Sequence, residues 1–402
     1  MWNKLLSSFL RKLITRGALV LVYSDGHSDR FGEADAVAQT LRLRDRALPR
    51  KLLANPDLAL GEAYMDGTLT VDDDDIYGLL ELLLMNLNSK KNGVWHYQWL
   101  MRLRQLGRRF SQFNPISRSR QNVAHHYDLS GRLYDLFLDA SRQYSCAYYK
   151  HPDDSLEAAQ QAKKALIATK LLLKPGHRVL DIGCGWGGLA LELHQRHGAE
   201  VTGVTLSEEQ HKLAQEKASE ANASKVVKFY LEDYRKVTGT FDRIVSVGMF
   251  EHVGVPHYQE FFNKVVDSLA DDGVALIHTI GRIDGPGTNN PWFAKYIFPG
   301  GYSPALSEIL PVVERAGLYV TDIEVLRLHY AETLKAWRAR FEASRTQVWK
   351  LYDERFCRMW AFYLVASELA FRLNGHVVFQ IQLAKRQDAV PMTRDYLLQA
   401  AE

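Results

Sequence analysis

The segment Val179-Leu180-Asp181-Ile182-Gly183-Cys184-Gly185-Trp186-Gly187-Gly188 constrains this chain more than any other. A short apolar stretch runs into a glycine-rich turn, and a helical pattern follows from Gly187 to Gly198. Glycines there let the backbone turn sharply and approach a ligand that any Cβ would block. The surrounding chain alternates in the same way. Strands are expected at His177–Gly183, Ala199–Thr205, Lys225–Asp233, Phe241–Gly248 and Gly273–Gly281, with helices at Glu208–Ala221 and His257–Leu269. Two further strands, Leu318–Leu328 and His376–Arg386, flank a long aromatic helical region, Thr333–Asn374. This pattern predicts an α/β fold with a doubly wound, mainly parallel, seven-stranded sheet.

A chain of 402 residues has room for a second domain. The N-terminal part reads as a smaller α+β domain over residues 1–88. Leu5, Leu6, Phe9, Leu10, Leu13 and Ile14 fall at helical spacing, Ala18–Tyr23 reads as a strand, and Ser24-Asp25-Gly26 supplies a turn. Asp72 to Asp75 precede a helix expected at Ile76–Leu87, where carboxylates suit the positive helix end and a solvated terminus explains them without a metal. Residues 89–120 read as a connector, and 121–402 as the catalytic domain.

The net charge of +3 does not by itself indicate nucleic acid, but its distribution is uneven. No Asp or Glu occurs from Leu82 to Tyr127, while Lys90, Lys91, Arg102, Arg104, Arg108, Arg109, Arg118 and Arg120 are basic. Trp95, Tyr97, Trp99, Phe110 and Phe113 interleave with them. That mixture suits the headgroup level of a membrane, and equally an ordinary solvated linker; single-stranded nucleic acid is a weaker third option. The three cysteines, Cys146, Cys184 and Cys357, fit a reducing compartment, and no CxxC pair suggests zinc. The apolar run Ala18–Tyr23 is too short to span a bilayer. The expectation is a cytoplasmic protein, with a membrane-surface position open.

The glycine-rich turn lacks the Lys-Ser/Thr of a phosphate cradle, which disfavours ATP or GTP. Its glycine spacing alone does not exclude a dinucleotide. Asp181 ahead of Gly183 favours S-adenosylmethionine, because a carboxylate there can organise the loop against the amino acid part of that ligand. The next strand ends Thr205-Leu206-Ser207, with Gln210 after it, where an acidic ribose ligand is usual; this departure also weakens a nicotinamide reading. Glu232 and Asp233, at the end of the third strand, can meet an adenine amino group.

Ligands of open α/β sheets bind beyond the carboxyl ends of the strands. Glu251 follows the fourth strand and His278 lies in the fifth. Together they can hold a small proton-accepting group. A histidine in an apolar strand is also what a core histidine paired to a backbone group looks like.

Five motifs occur in order: Gln143-Tyr144-Ser145-Cys146-Ala147-Tyr148-Tyr149, Gly183-Cys184-Gly185-Trp186-Gly187-Gly188, Val204-Thr205-Leu206-Ser207, Gly248-Met249-Phe250-Glu251-His252-Val253-Gly254 and His278-Thr279-Ile280-Gly281. The chain from about Val123 to Arg386 closely resembles the cyclopropane-fatty-acyl-phospholipid synthase family, which includes mycolic acid cyclopropane synthases. A weaker likeness covers Gly61-Glu62-Ala63-Tyr64-Met65-Asp66-Gly67. The resemblance implies that Tyr144 and Ser145 contact S-adenosylmethionine, that Gly183 and Gly185 lie under its amino acid part, and that Thr205 and Gln210 face its ribose. It implies bicarbonate as general base, caged by the side chains of Glu251, His278 and Tyr330 and the backbones of Cys146 and Ile280. Tyr330 rests on the weaker match Leu328-His329-Tyr330-Ala331-Glu332-Thr333. Cys146 reads as a backbone ligand and not as a nucleophile.

The implied reaction is methylene transfer to the cis double bond of an unsaturated phospholipid acyl chain. Methyl transfer leaves a carbocation, a base removes a proton from the new methyl group, and the ring closes with water excluded. Phe250, Trp292, Phe293, Tyr296, Phe298, Tyr302, Trp349, Tyr352, Phe356, Trp360 and Tyr363 offer aromatic faces that can stabilise the cation, and one face of the late helical region is expected to line an acyl tunnel, although aromatics at helical spacing are usually core. Cys357 is expected to pack as a small hydrophobe. The resemblance further implies a membrane surface as partner, at the inner face of the membrane, and a homodimer, with no nucleic acid. Other readings are a lipid methyltransferase of the same family that leaves a methyl branch or hydroxyl, a small-molecule N- or O-methyltransferase, and a non-catalytic lipid-binding protein.

Overall fold

The computed structural model describes residues 1–89 and 131–398. The expected connector, from Lys90 on, and the pair His125 and His126 lie outside the described residues. Among the described residues, 1–89, Thr288–Ile297 and Leu334–Gly375 form one compact unit, while 131–287, Phe298–Thr333 and 376–398 form another.

The first unit holds a four-stranded sheet in the order β2-β1-β3-β4, with β1 at Ala18–Val22, β2 at Ser28–Gly32, β3 at Ala38–Leu43 and β4 at Leu69–Val71. The Ser24-Asp25-Gly26 turn joins β1 to its antiparallel partner β2, and Gly26 takes the positive φ (+86°) that the turn requires. The helix Trp2–Leu13 buries Leu6, Leu10 and Leu13, one stripe at helical spacing. The acidic run does not act as a block of helix-end charges. Asp72–Asp74 form a separate short turn in which Asp72 pairs with Arg42 at 2.8 Å and Asp74 accepts from the Tyr64 hydroxyl at 3.1 Å. Asp75 alone caps the helix Ile76–Ser89, through Gly78 N–H at 2.9 Å.

The segment Gly61–Gly67 anchors late parts of the chain within this unit. A Cβ on Gly61 would lie 2.5 Å from the Trp292 ring, so only glycine admits that indole. Trp292 is fully buried, packs on Phe362 at 4.7 Å between ring centroids, and points its N–H at Met65 sulfur. Glu62 accepts from Lys295 at 2.6 Å and from Tyr296 at 2.8 Å, and Asp66 accepts from Arg355 at 2.8 Å. The aromatic helical region divides into helices His329–Ala343, Arg345–Leu351 and Glu354–Leu373. Tyr352, just after the second of these, stacks in series with Phe356 and Trp360 of the last, which also buries Cys357, while Trp349 on the second is half exposed.

The second unit holds a seven-stranded sheet in the order β10-β11-β9-β8-β5-β6-β7. Its strands are β5 Arg178–Ile182, β6 Glu200–Thr205, β7 Val227–Leu231, β8 Phe241–Val247, β9 Leu269–Arg282, β10 Tyr319–Leu326 and β11 His376–Ala384. Pairing is parallel from β7 across to β9, and β11 runs antiparallel to both β9 and β10. The sheet is therefore the mainly parallel one expected. Strand alternation sends Ile244 and Ile277 to one face, with Phe261 and Phe262, and Val245 and Leu276 to the other, with Leu193. Phe250 belongs to the first of these clusters, stacked on Tyr258 at 4.4 Å and edge-on to Phe261 at 5.0 Å. Its side chain is fully buried in this cluster.

Candidate functional site

The strand order reverses beside β5, where β6 lies on one side and β8 on the other, and a cleft opens at these carboxyl ends. Every residue expected to bind cofactor lines it: Tyr144, Ser145, Asp181, Gly183, Gly185, Thr205, Gln210 and Asp233. The glycine-rich loop takes left-handed backbone at Gly183, Gly185 and Gly187. A Cβ on Gly185 would meet nothing within 4 Å, so the backbone there faces open space that a ligand can enter. At Gly187 a Cβ would sit 2.6 Å from the Phe229 ring. Gly187→Ala combines that clash with positive φ and is expected to cost about 1–3 kcal/mol, read as a shift in the thermal midpoint; an unchanged midpoint would show that the loop tolerates a side chain.

Asp181 is buried, and one of its carboxylate oxygens has no hydrogen-bond partner. Burial raises its pKa to about 7, with Lys163 acting in the opposite direction. An orphaned carboxylate beneath an open glycine loop fits the ammonium of an amino acid ligand. Thr205 donates its hydroxyl to the Gln210 side-chain oxygen at 2.8 Å and accepts from Ser207 N–H at 3.2 Å, so two neutral groups stand where an acid is usual. Asp233, expected to meet an adenine amino group, lines the cleft. Both of its oxygens accept from the Arg235 guanidinium, at 2.8 and 2.7 Å, and these bonds hold its pKa below the usual range against the effect of burial.

The residues expected to cage the bicarbonate base are not among those lining this cleft, although Cys146 directly follows the lining residue Ser145 and Glu251 lies between Met249 and His252, which also line it. His278, on β9, pairs in register with Val247 of β8, and its carbonyl accepts from Gly248 N–H at 2.9 Å. Gly248 in turn faces the Ser145 side chain. Glu251 accepts at Oε1 from Ile280 N–H at 2.6 Å, so the Ile280 amide is spent on the carboxylate. Its Oε2 is buried without a partner, and burial raises its pKa to about 7. His278 Nε2 is likewise buried without a partner, and burial holds its pKa well below normal, so the ring is neutral. Gln380, directly opposite on β11, brings its side-chain nitrogen 3.1 Å from His278 Nδ1. With Nδ1 as acceptor, the ring proton sits on Nε2 and can be donated.

Cys146 is buried, its thiol pKa is pushed up by burial, and its S–H contacts Ala147 carbonyl at 3.2 Å, which describes a packed thiol and not a thiolate. The next residues are tied to the start of the helix that carries Tyr330. Ala147 N–H donates to Thr333 Oγ1 at 3.0 Å, Tyr149 N–H donates to His329 Nδ1 at 3.0 Å, and the Tyr148 and His329 rings stack at 4.8 Å. Tyr330 is buried one residue away. Thr333→Val leaves the buried Ala147 N–H unpaired and is expected to destabilise by about 1–3 kcal/mol; denaturant melts check this, and no change would mean the tie is idle. Sequence reading missed Gln380, His329 and Thr333. Only the place of the latter two in the Leu328–Thr333 match hinted at them.

The model of the mycolic acid cyclopropane synthetase family matches residues 115–381. The chain belongs to this family. A second model, of a domain of unknown function, matches residues 5–94. Across the synthetase family, the chain is 40% identical to a cyclopropane-fatty-acyl-phospholipid synthase of Escherichia coli over 86% of its length and 87% of that protein. It is 35% identical to a tuberculostearic acid methyltransferase of Mycobacterium tuberculosis over 94% of its length and 90% of that protein. The structure of a mycolic acid cyclopropane synthase complexed with S-adenosylhomocysteine superposes with a TM-score of 0.63 at 33% identity, covering 68% of this chain and 99% of that one. The chain is an enzyme, an S-adenosylmethionine-dependent methyltransferase of the cyclopropane synthetase family.

Proposed function

We propose that the enzyme converts the cis double bond of an unsaturated phospholipid acyl chain into a cyclopropane ring. The observation that carries this reading is the pair of buried, unpartnered atoms, Glu251 Oε2 and His278 Nε2. Transfer of a methyl group to nitrogen or oxygen removes no proton from carbon. Ring closure on carbon does, since a proton must leave the transferred methyl group.

S-adenosylmethionine, when bound, supplies an electrophilic methyl group. Asp181 would hold its ammonium, the Gly183–Gly187 loop would pass beneath it, and Thr205 and Gln210 would face its ribose. Tyr144 and Ser145 would close over it. The alkene π electrons form the first carbon–carbon bond as the sulfur–carbon bond breaks, leaving a cation in the acyl chain. Loss of a proton from the new methyl group provides the electron pair for the second bond. Bicarbonate, when bound, would accept that proton. His278 would donate from Nε2, a neutral Glu251 from Oε2, and Tyr330 from its hydroxyl, with the Cys146 backbone completing the cage. Ile280 would act on Glu251 and only through it on the ion. The buried setting excludes water that would capture the cation.

The enzyme would work at the inner face of a membrane as a cytoplasmic peripheral protein. No described helix is long and apolar enough to cross one. Exposed Trp2 and Leu5 on the helix Trp2–Leu13, beside Lys4, Arg11 and Lys12, support contact with an anionic surface. Residues 1–88 would serve this contact or subunit contact, and 121–402 would carry catalysis. A homodimer would engage one membrane through two weak contacts; light scattering showing only monomer at working concentration would remove that part. Incubation with S-adenosylmethionine and vesicles of monounsaturated phospholipid tests the reaction. The expected acyl product has gained one CH₂ and lost its alkene; unaltered lipid with intact cofactor binding would overturn the reading in favour of a small-molecule substrate.

A further inference from the structure

The segment Gln143–Ser145, which lines the cofactor cleft, is tied to a buried lysine. Lys163 is wholly inaccessible to solvent, on the helix Leu156–Lys170. Its ammonium donates to Gln143 Oε1 at 2.7 Å and to Ser145 Oγ at 2.9 Å. One turn away, Gln160 donates to the Ser145 carbonyl at 2.9 Å and the Gln143 carbonyl at 3.3 Å. Gly188 in the glycine-rich loop has no room for a Cβ because Ser141 carbonyl and the Gln143 amide lie 2.5 and 2.7 Å from that position. The lysine, this segment and the loop are thus one packed layer.

A buried ammonium is costly, and here two neutral oxygens are its hydrogen-bond partners. The charges around it are Asp139, Asp181 and the neighbouring Lys164, with the Cys146 thiol also near. Asp139 is already engaged by Ser141 and by Gln143 N–H. Asp181 is the carboxylate with an orphaned oxygen, and Lys163 is the charged group acting on it. Lys163 also acts on His278, disfavouring its protonated form.

We propose that Lys163 is a positioning residue for cofactor binding, which clamps the Gln143–Ser145 segment and, by its charge, favours the ionised form of Asp181 that receives the ligand ammonium. The two parts of the role separate by pH. Burial brings the Lys163 pKa down to about 8 and the Asp181 pKa up to about 7. Near neutral pH the lysine is charged and Asp181 is near the middle of its titration, so loss of the lysine moves Asp181 further toward its protonated form. Well above pH 8 the wild-type lysine is itself losing its charge, and Asp181 is ionised with or without it. A clamp alone has no such dependence.

The test is S-adenosylhomocysteine binding by calorimetry to wild type, Lys163→Met and Gln160→Leu, near pH 7 and near pH 9. The expected result is a Kd about tenfold or more above wild type for Lys163→Met at the lower pH, shrinking to about threefold at the higher, since one pKa unit is one factor of ten. Gln160→Leu, which removes ties but no charge, is expected to weaken binding by the same factor at both. If Lys163→Met does not fold, Lys163→Gln, which keeps a donor in the cavity, takes its place with the same expectation. A pH-independent ratio for the neutral lysine variant would overturn the electrostatic role, and wild-type affinity would overturn the proposal entirely.

Discussion

In the Glu251→Gln enzyme, cyclopropane formation falls by about two to three orders of magnitude while S-adenosylhomocysteine binding is unchanged. The amide keeps the shape, can still accept from Ile280 and can donate from the Oε2 position, but its N–H is a weaker donor than a carboxyl O–H and cannot exchange a proton with the ion. Stability should move the other way. A carboxyl group raised from 4.5 to about 7 binds its proton more tightly folded than unfolded. It therefore costs stability progressively as pH rises through that window, and the cost is complete above the folded value. Glu251→Gln removes it, so the variant should exceed wild type by up to roughly 3 kcal/mol near pH 8, at about 1.4 kcal/mol per unit, and show little advantage near pH 4. Denaturant melts of the two proteins at both pH values decide it. A variant destabilised at pH 8, or fully active at any pH, would remove Glu251 from the proposed cage.

Trp292→Ala is expected to cost about 3–5 kcal/mol, the range for emptying a fully buried large aromatic site. The fully buried indole sits on Gly61, against Phe362 and Met65. Every residue lining the cofactor cleft lies in the other compact unit, so S-adenosylhomocysteine affinity of the folded variant should stay within about twofold, far less than a tenfold change per 1.4 kcal/mol would give. Thermal unfolding and calorimetry on one preparation check both halves. A loss below 1 kcal/mol would show that the aromatic packing around Gly61 is plastic.

The sheet and the cofactor cleft were legible because they are written locally. An apolar strand, a glycine turn and a helix occur in contiguous sequence, and the expected ligand residues Asp181, Gly183, Thr205 and Gln210 each lie at or just beyond a strand end. What escaped was made by long-range pairing. Gln380 reaches His278 because β11 inserts antiparallel beside β9, which no local pattern announces. Lys163 was hidden for a different reason. Gln160, Lys163, Lys164 and Ile167 share one buried helix face, so a polar stripe that reads as solvent-facing is the packed side. Phe250, within the Gly248–Gly254 motif, packs in the core cluster, a placement its motif alone did not announce. The segment Gly61–Gly67 was recognised by likeness alone, and its physical reason appeared only with Trp292, Lys295 and Arg355 around it.

The central claim is a methyl group that loses one proton and closes a ring. The most direct measurement supplies S-adenosylmethionine carrying a fully deuterated methyl group, with vesicles of monounsaturated phospholipid, and counts deuterium in the released acyl chains by mass spectrometry. The account predicts a cyclopropane chain that retains two of the three deuterium atoms, the third having gone to the base. A saturated methyl-branched or hydroxylated chain retaining all three would contradict it.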